Sequence, residues 1–114
     1  MIGAGRASSV DFSHLENYVA GDQAVVREVL GLFSDQARTV LPTLNPAAPG
    51  DAWRNAAHSL KGSALGIGAF ALAEACSEAE SARDASPEAK RAILARVADA
   101  LADALADIAA YTRG

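Results

Sequence analysis

Apolar residues recur along this chain at spacings of three and four residues, the period of an amphipathic α-helix. The first long stripe predicts a helix over residues 22–41, and its apolar positions are Val26, Val29, Leu30, Phe33, Ala37, Val40 and Leu44. The last stripe predicts a helix over residues 86–114, and its apolar positions are Ile93, Val97, Leu101, Leu105, Ile108 and Tyr111. No segment alternates apolar and polar residues as a half-buried strand does.

Residues that cap or break helices divide the rest of the chain into three further helices, over residues 12–19, 51–67 and 70–83. Asp11 or Ser13 suits the N-cap of the first of these helices, because short polar side chains accept hydrogen bonds from the free N–H groups of a first turn. Two long helices and three shorter ones, without strands, predict an all-α fold.

Turn-forming residues also fix the connections. Pro42 is expected to end the second helix, and the run NPAAPG over residues 45–50 is the clearest loop. Asp51 is a candidate cap for the third helix, and Ser86 followed by Pro87 is a typical start for the fifth. Gly66 and Gly68 are expected to end the third helix.

Four amphipathic helices with short connections predict an antiparallel four-helix bundle, with the short N-terminal helix as an addition. Residues 1–10 are rich in Gly, Ala and Ser, and we expect them to be disordered. Residues 11–114 then form a single helical bundle domain, since 114 residues are enough for one domain and not for two. Alanine supplies 28 positions and aromatic residues 5%, so the core is expected to be thin.

Charge and cysteine content narrow the function classes. The net charge is −4 and no cluster of Lys or Arg occurs, which disfavours nucleic-acid binding. Cys76 is the single cysteine, so no internal disulfide can form, and we expect it to be a small core residue. No apolar run approaches the roughly 20 residues of a membrane span, and the first ten residues lack the apolar part of a secretory signal. We expect a cytoplasmic monomer that does not bind membranes.

His58 lies on the solvent side of the predicted third helix. Successive helix residues turn by about 100°, and the side opposite His58 collects the apolar residues Trp53, Ala56, Leu60, Ala64 and Ile67. The side that carries His58 is mostly polar and holds Asp51, Arg54, Asn55, Lys61, Gly62 and Leu65. We therefore expect the imidazole to be in solvent rather than in the core.

An exposed, neutral imidazole is a candidate nucleophile or a candidate metal ligand. The metal interpretation is the weaker one, because His14 lies on another predicted helix and the chain has no His-x-x-x-His or Cys-x-x-Cys pair. We predict no metal site and no cofactor. Phosphoryl chemistry is favoured, since Lys61 follows His58 by one helical turn and its ammonium can neutralise a phosphoryl group on the ring.

Gly62 and Leu65 extend the candidate site along the same face. Glycine inside a helix costs roughly 1 kcal/mol relative to alanine, so Gly62 indicates a need for space beside the imidazole. Leu65 is an apolar residue on a polar face, which suits the docking of a partner protein. We expect Arg54, Asn55 and Leu65 to contact that partner.

The run from Ala57 to Glu80, AHSLKGSALGIGAFALAEACSEAE, resembles the core motif of histidine-containing phosphotransfer (HPt) domains. The matching residues are His58, Leu60, Lys61, Gly62, Ser63, Gly68, Leu72, Cys76 and Glu80. The motif is specific because it joins His-x-Leu-Lys-Gly to a second glycine and a following helix. The resemblance extends back through the first two predicted helices and covers residues 11–83.

The resemblance implies a protein that relays phosphoryl groups between receiver-domain aspartates. His58 would accept the phosphoryl group on Nε2, Lys61 would stabilise it, and Gly62 would leave room for it. Some members carry a glutamine near the histidine, and Gln36 is a candidate by its location and is expected to belong to the partner-binding residues. The implied partners are response-regulator receiver domains and a sensor or hybrid histidine kinase, with Mg²⁺ supplied by the receiver.

The sequence shows no nucleotide-binding motif and no general base next to His58. We therefore expect a phosphoryl carrier and not an enzyme with its own ATP-dependent kinase activity. Two other functions stay open. A non-catalytic helical interaction module would use the same face without chemistry at His58. A dimerisation domain of a histidine kinase is less favoured, because Ser59 stands where an acidic residue is typical and one chain already supplies enough helices.

Overall fold

The structure is a computed structural model that describes residues 9–113. It contains five α-helices, which are α1 (Phe12–Tyr18), α2 (Gln23–Val40), α3 (Gly50–Ile67), α4 (Phe70–Ser81) and α5 (Pro87–Arg113). A single 3₁₀ turn, Leu41–Thr43, follows α2 and contains Pro42, which ends that helix as expected. Residues 9–113 contain no strand, so the predicted all-α fold is confirmed.

Helices α2 to α5 form a four-helix bundle. The helix α3 packs against α4 and α2, and α5 packs against the same two neighbours, so that α3 and α5 occupy opposite corners. The short helix α1 contacts α2 and α3 and is joined to the end of α5 by Phe12, whose ring stacks on Tyr111 with centroids 4.2 Å apart. The predicted four-helix bundle with a short additional N-terminal helix is confirmed.

The predicted apolar stripes meet in one core. All five apolar positions predicted on α3 are buried, and so are most of those on the two long stripes, namely Val26, Leu30, Phe33, Ala37, Leu44, Ile93, Val97, Leu101 and Ile108. The remaining stripe positions are half-buried at the edge of the core, namely Val29, Val40, Leu105 and Tyr111. Cys76 is fully buried on α4, as expected.

Trp53 and Lys90 pack together where α3 and α5 begin. The indole N–H of Trp53 donates to the backbone carbonyl of Ala79, with nitrogen and oxygen 2.6 Å apart. The ammonium of Lys90 lies 5.3 Å from the centroid of the Trp53 ring, and the Lys90 side chain is buried although it is charged. The contact with the aromatic face compensates part of the lost hydration. The hydrophobic pattern does not identify Lys90 as a core residue.

The helix caps confirm two predictions and correct two. The Asp11 side chain accepts from the backbone N–H of His14, and the Ser86 hydroxyl accepts from that of Ala89, so both residues cap their helices. Ser13 lies inside α1 and does not cap it. Asp51 does not cap α3, because the helix already begins at Gly50 after Pro49.

Asp51 and the glycines at the end of α3 have other roles in the structure. The Asp51 carboxylate pairs with Arg83 at 2.7 Å. Gly66 lies inside α3 and does not end it, whereas Gly68 ends the helix with a φ of 84°. A Cβ on Gly68 would lie 2.6 Å from the carbonyl oxygen of Asp11. Gly68 is therefore required both by its left-handed backbone and by this close approach.

The expected disorder of residues 1–10 lies mostly outside the described residues. At its last two positions the prediction is wrong. Val10 is buried, and the backbone N–H of Ser9 donates to the carboxylate of Asp107 on α5. Burial of the Val10 side chain offsets the entropy of ordering this stretch. Across residues 9–113, none of the helices combines the length and apolar character needed to cross a membrane.

Candidate functional site

His58 projects from the middle of α3 away from the core, and 68% of its side chain is exposed. Its neighbours Ala57 and Leu60 are buried, because they lie on the other side of the helix. The expectation that the imidazole is in solvent is confirmed. An exposed ring on a rigid helix can be approached by a second protein without any movement of the bundle.

A carboxylate on α4 holds the imidazole in place. The Nδ1 atom of His58 lies 2.9 Å from Oε2 of Glu80, and Oε1 of the same carboxylate accepts a hydrogen bond from Nζ of Lys61 at 3.1 Å. An ionised carboxylate can only accept, so the proton of a neutral imidazole is on Nδ1 and the lone pair is on Nε2. Within residues 9–113, no hydrogen-bond partner of Nε2 is found, which leaves this nitrogen open.

Hydrogen bonds from neighbouring side chains keep the Glu80 carboxylate ionised. The pKa of Glu80 is lowered, first because Lys61 donates a hydrogen bond to it and then because His58 does so. One helical turn earlier, burial raises the pKa of the Cys76 thiol to about 11, with a smaller contribution from the negative charge of Glu80. At neutral pH the cluster therefore contains an anionic Glu80, a cationic Lys61 and a neutral thiol behind them.

The hairpin of α3 and α4 brings Glu80 to His58. The turn at Gly68 reverses the chain after α3, and the Trp53 indole binds the carbonyl of Ala79, the residue before Glu80. The small buried side chains of Ala73, Cys76 and Ala79 line the inner side of α4 and allow close packing of the two helices.

Glu80 is the residue of this cluster that the sequence analysis missed. It entered only as a matching position of the family motif, and a carboxylate in contact with the imidazole was not anticipated. The two positions are 22 residues apart in the chain, with a helix end and a turn between them, so their distance in space depends on how the hairpin packs. The available signal was its place one turn after Cys76, on the side of α4 that faces α3.

Lys61 and Gly62 lie where the sequence analysis placed them. The Lys61 side chain is 31% exposed, with its ammonium held by Glu80 rather than extended into solvent. Gly62 is exposed, and a Cβ built on it would meet nothing within 4 Å. The fold itself does not require glycine at this position, and the space beside His58 is open.

The residues predicted to bind a partner are only partly brought together. Asn55 and Leu65 are exposed on α3 on either side of His58 along the helix. Gln36 is exposed on α2, and its Oε1 accepts from the Ser63 hydroxyl at 2.9 Å, which fixes it beside α3. Arg54 is half-buried, and its Nη2 donates to Asn55 at 3.3 Å, so it presents less surface than expected.

Two exposed apolar side chains, one on α2 and one on α4, were not predicted. Leu32 on α2 is 64% exposed, and Phe70 at the start of α4 is 46% exposed, with its edge against His14. A shallow groove separates α2 from α3 and is lined by Val29, Leu32, Phe33, Gln36, Ser63, Gly66 and Ile67. The apolar surface that α2 and α3 expose is therefore larger than Leu65 alone.

The part of the chain that the structure describes contains no cluster of side chains suited to a metal ion. Within residues 9–113, no three His, Cys, Asp or Glu side chains are grouped so that they would hold a metal ion. His58, Glu80 and Lys61 form a cluster of one imidazole, one carboxylate and one ammonium. That composition suits a phosphoryl group, because the ammonium favours negative charge nearby and the imidazole offers the Nε2 lone pair to a phosphorus atom.

The four-helix bundle presents to solvent an imidazole that is bound by one carboxylate, and this arrangement is typical of a phosphotransfer bundle. Comparisons with known proteins identify the same class. The family model described as Hpt domain matches residues 28–111. The chain therefore belongs to the Hpt domain family, and the resemblance found in the sequence is confirmed. The match also includes α5, which the sequence resemblance, ending at residue 83, did not reach.

One solved structure shows the same relation over almost the whole chain. The histidine phosphotransferase ShpA from Caulobacter crescentus is 46% identical to this chain, and the alignment covers 93% of this chain and 92% of ShpA with a TM-score of 0.74. No curated protein matches the chain. The predicted role of the chain, histidine phosphotransfer in a phosphorelay, is confirmed at the level of the family.

Proposed function

We propose that His58 is the residue that carries the phosphoryl group, on Nε2, between aspartates of receiver domains. The observation that supports this most directly is the hydrogen bond from Nδ1 of His58 to Glu80 at 2.9 Å. It fixes the tautomer whose nucleophilic nitrogen points away from the bundle. Exposure of the ring lets a second protein reach that nitrogen.

The proposed step is an in-line displacement at phosphorus. Nε2 donates its lone pair to the phosphorus atom of a phospho-aspartate, the bond between phosphorus and the aspartate oxygen breaks, and the carboxylate leaves with that electron pair. The proton on Nδ1 does not move, and the ring becomes a phosphorylated imidazolium. The reverse step delivers the group to a second aspartate. Positioning and charge neutralisation supply most of the catalysis in such transfers.

Lys61 and Gly62 serve the phosphoryl group in this proposal. The Lys61 ammonium is one helical turn from His58 and can turn from Glu80 toward phosphoryl oxygens, since both are anionic acceptors. Gly62 leaves the adjacent surface open, and no contact within the bundle explains a glycine there. A side chain at position 62 would occupy space that an incoming phosphoryl donor needs.

The partner face in this proposal is the side of α2 and α3 around His58. The exposed side chains of Leu32 and Leu65 give it an apolar area, and Asn55 and Gln36 give it a polar rim. The proposed partner that binds this face is a receiver domain of a response regulator. A sensor or hybrid histidine kinase is the proposed source of phosphoryl groups at the start of the relay. The acidic pocket and the Mg²⁺ of the reaction belong to the receiver.

We further propose that the chain is a carrier and does not use ATP. The cluster at His58 lies on an open helix face, where 68% of the His58 side chain is exposed. A monomer is sufficient for the relay, because His58, Lys61 and Glu80 all come from one chain. A cytoplasmic location fits the single cysteine, which is buried and unpaired.

Transfer from a phosphorylated receiver domain tests the proposal. The purified chain is mixed with a phosphorylated receiver, and label that is labile in acid and stable in base is followed on the chain. The His58→Gln variant is expected to take no label. His14 is the only other histidine of the chain, so His14→Gln is the matched control and is expected to be labelled like the wild type.

The same experiment separates the relay from a passive interaction module. A module without chemistry takes no label in any variant, and equal labelling of His58→Gln and wild type would remove His58 from its proposed role. Incubation of the chain alone with labelled ATP tests the carrier assignment, and label appearing in that mixture would contradict it.

A further inference from the structure

The proposed transfer step requires a hydrogen-bond acceptor at Nδ1 of His58, but it does not by itself require the negative charge of Glu80. A backbone carbonyl or a neutral amide would suffice to hold the Nδ1 proton of His58, yet an ionised carboxylate accepts it at 2.9 Å. The same carboxylate is 21% exposed and accepts from Lys61. The negative charge of Glu80 therefore lies next to the imidazole, at a site where solvent screens it only partly.

The charge on the ring changes during the relay. Free His58 with one proton on Nδ1 is neutral, whereas the ring phosphorylated on Nε2 with the same proton is a cation. When the phosphoryl group leaves, the bond between phosphorus and Nε2 breaks and its electron pair stays on Nε2. With the proton on Nδ1 the leaving group is a neutral imidazole, but without the proton it is an imidazolate anion, which is a far poorer leaving group.

We propose that Glu80 is a positioning residue that keeps phosphorylated His58 able to release its phosphoryl group, by holding the proton on Nδ1. This inference rests on the proposed function of His58. An anion next to the phosphorylated imidazolium favours the protonated ring, so release remains fast to a higher pH than it would beside a neutral group. Glu80 thus sets the pH range over which the protein can release its phosphoryl group.

The charged groups around Glu80 are few. From α3 they are His58 and Lys61, and on α4 itself the Cys76 thiol lies one turn away and is neutral at physiological pH. From α5, Arg96 is engaged with Glu78 at 2.7 Å and has no part in the charge balance at Glu80. Lys61 opposes the effect, since its ammonium shares the carboxylate, and it remains in every variant tested.

Chemical phosphorylation allows a test without a partner protein. Phosphoramidate transfers its phosphoryl group to imidazole nitrogen and releases ammonia, and ³¹P NMR follows the loss of the resulting P–N signal over a series of pH values. The variant is Glu80→Gln, which keeps a carbonyl oxygen for the Nδ1 proton and removes the charge. Glu78→Gln is the matched control, because it also removes one carboxylate and one ion pair of α4.

The midpoint pH above which release slows is expected to be about one unit lower in Glu80→Gln than in the wild type. On the alkaline side the variant then releases phosphate about tenfold more slowly, while on the acid side it is as fast or faster. Glu78→Gln is expected to keep the wild-type profile. Thermal unfolding of each variant verifies that the bundle is intact, and a purely structural role of Glu80 would lower stability without moving the midpoint.

Different results would contradict the role proposed for Glu80 and the role proposed for His58. If the wild type gains a P–N signal that His58→Gln lacks, and Glu80→Gln shows the wild-type pH profile, the role given to Glu80 is wrong and the role of His58 stands. If the wild type gains no P–N signal, or His58→Gln gains the same one, the assignment of His58 itself is wrong.

Discussion

The indole nitrogen of Trp53 lies 2.6 Å from the carbonyl oxygen of Ala79, the residue directly before Glu80. Trp53 also precedes His58 on α3 by five residues. One buried hydrogen bond therefore links the helix that carries the imidazole to the helix that carries its carboxylate. It limits sliding of α4 along α3, and a slide of 1 Å would already weaken the contact between His58 and Glu80.

Replacing Trp53 with Phe tests this link. The variant leaves the Ala79 carbonyl without its donor and creates a small cavity, so we expect the free energy of unfolding to fall by about 1–3 kcal/mol. Urea denaturation followed by circular dichroism measures the loss. Leu32→Ala, at an exposed position of α2, is the control and is expected to change the free energy of unfolding little. An unchanged stability of Trp53→Phe would show that the hydrogen bond is not important for the hairpin.

The role of Gly62 is separable from its helix propensity. Both Gly62 and Gly31 are exposed inside helices, and a Cβ on either meets nothing within 4 Å. Gly62→Gln and Gly31→Gln should each raise the free energy of unfolding by about 0.5–1 kcal/mol. Only Gly62→Gln is expected to block phosphoryl transfer from a receiver, because only this side chain stands beside His58. Normal transfer in Gly62→Gln would make the glycine incidental.

The charge of Lys61 is tested by Lys61→Met, which keeps most of the aliphatic stem. Loss of one partly exposed ammonium beside the phosphoryl group is expected to slow transfer roughly five- to tenfold, which corresponds to about 1 kcal/mol of transition-state stabilisation. Rapid-mix measurements of label on the chain give the rate. Arg91→Met removes a positive charge from an exposed position of α5 and should transfer normally. Equal rates in both variants would exclude charge neutralisation by Lys61.

The proposed partner face predicts that Leu65→Asp weakens transfer through poorer docking. Burying a new carboxylate in the complex is expected to raise the receiver concentration for half-maximal transfer about tenfold or more. The stability of the chain should change by less than about 0.5 kcal/mol, because Leu65 is exposed. Ala95→Asp on α5, at the opposite corner of the bundle, is the control. If Leu65→Asp and Ala95→Asp behave alike, docking uses another surface.

The buried thiol of Cys76 gives a prediction for alkaline pH. Burial raises its pKa from 9.0 to about 11, so the fold favours the neutral thiol. The resulting contribution to stability is complete below pH 9 and is lost as the pH rises through about 11. Comparing wild type with Cys76→Ala, we expect the wild type to lose about 2 kcal/mol more over this range. Parallel stability curves for the two proteins would contradict the shift.

Local patterns predicted the helices and the exposure of His58, because both depend on which side chains share a face of a single helix. Trp53, Leu60 and Ile67 had to face inward, and His58 then faced solvent. The cap of α3 was predicted wrongly, because the helix already begins at Gly50, so that Asp51 lies in its first turn and pairs with Arg83. The burial of Lys90 was not predicted, since it depends on contact with the Trp53 ring of another helix.

The amino-acid sequence alone thus determined the class of fold, the exposure of His58 and the motif of its family, since these follow from spacing along one helix and from residue identity. Only the tertiary structure decided that Glu80 binds His58 and Lys61 together. Two residues on different helices meet according to the register of those helices, and that register depends on the turn at Gly68 and on the bond between Trp53 and Ala79, which no periodicity in the chain encodes.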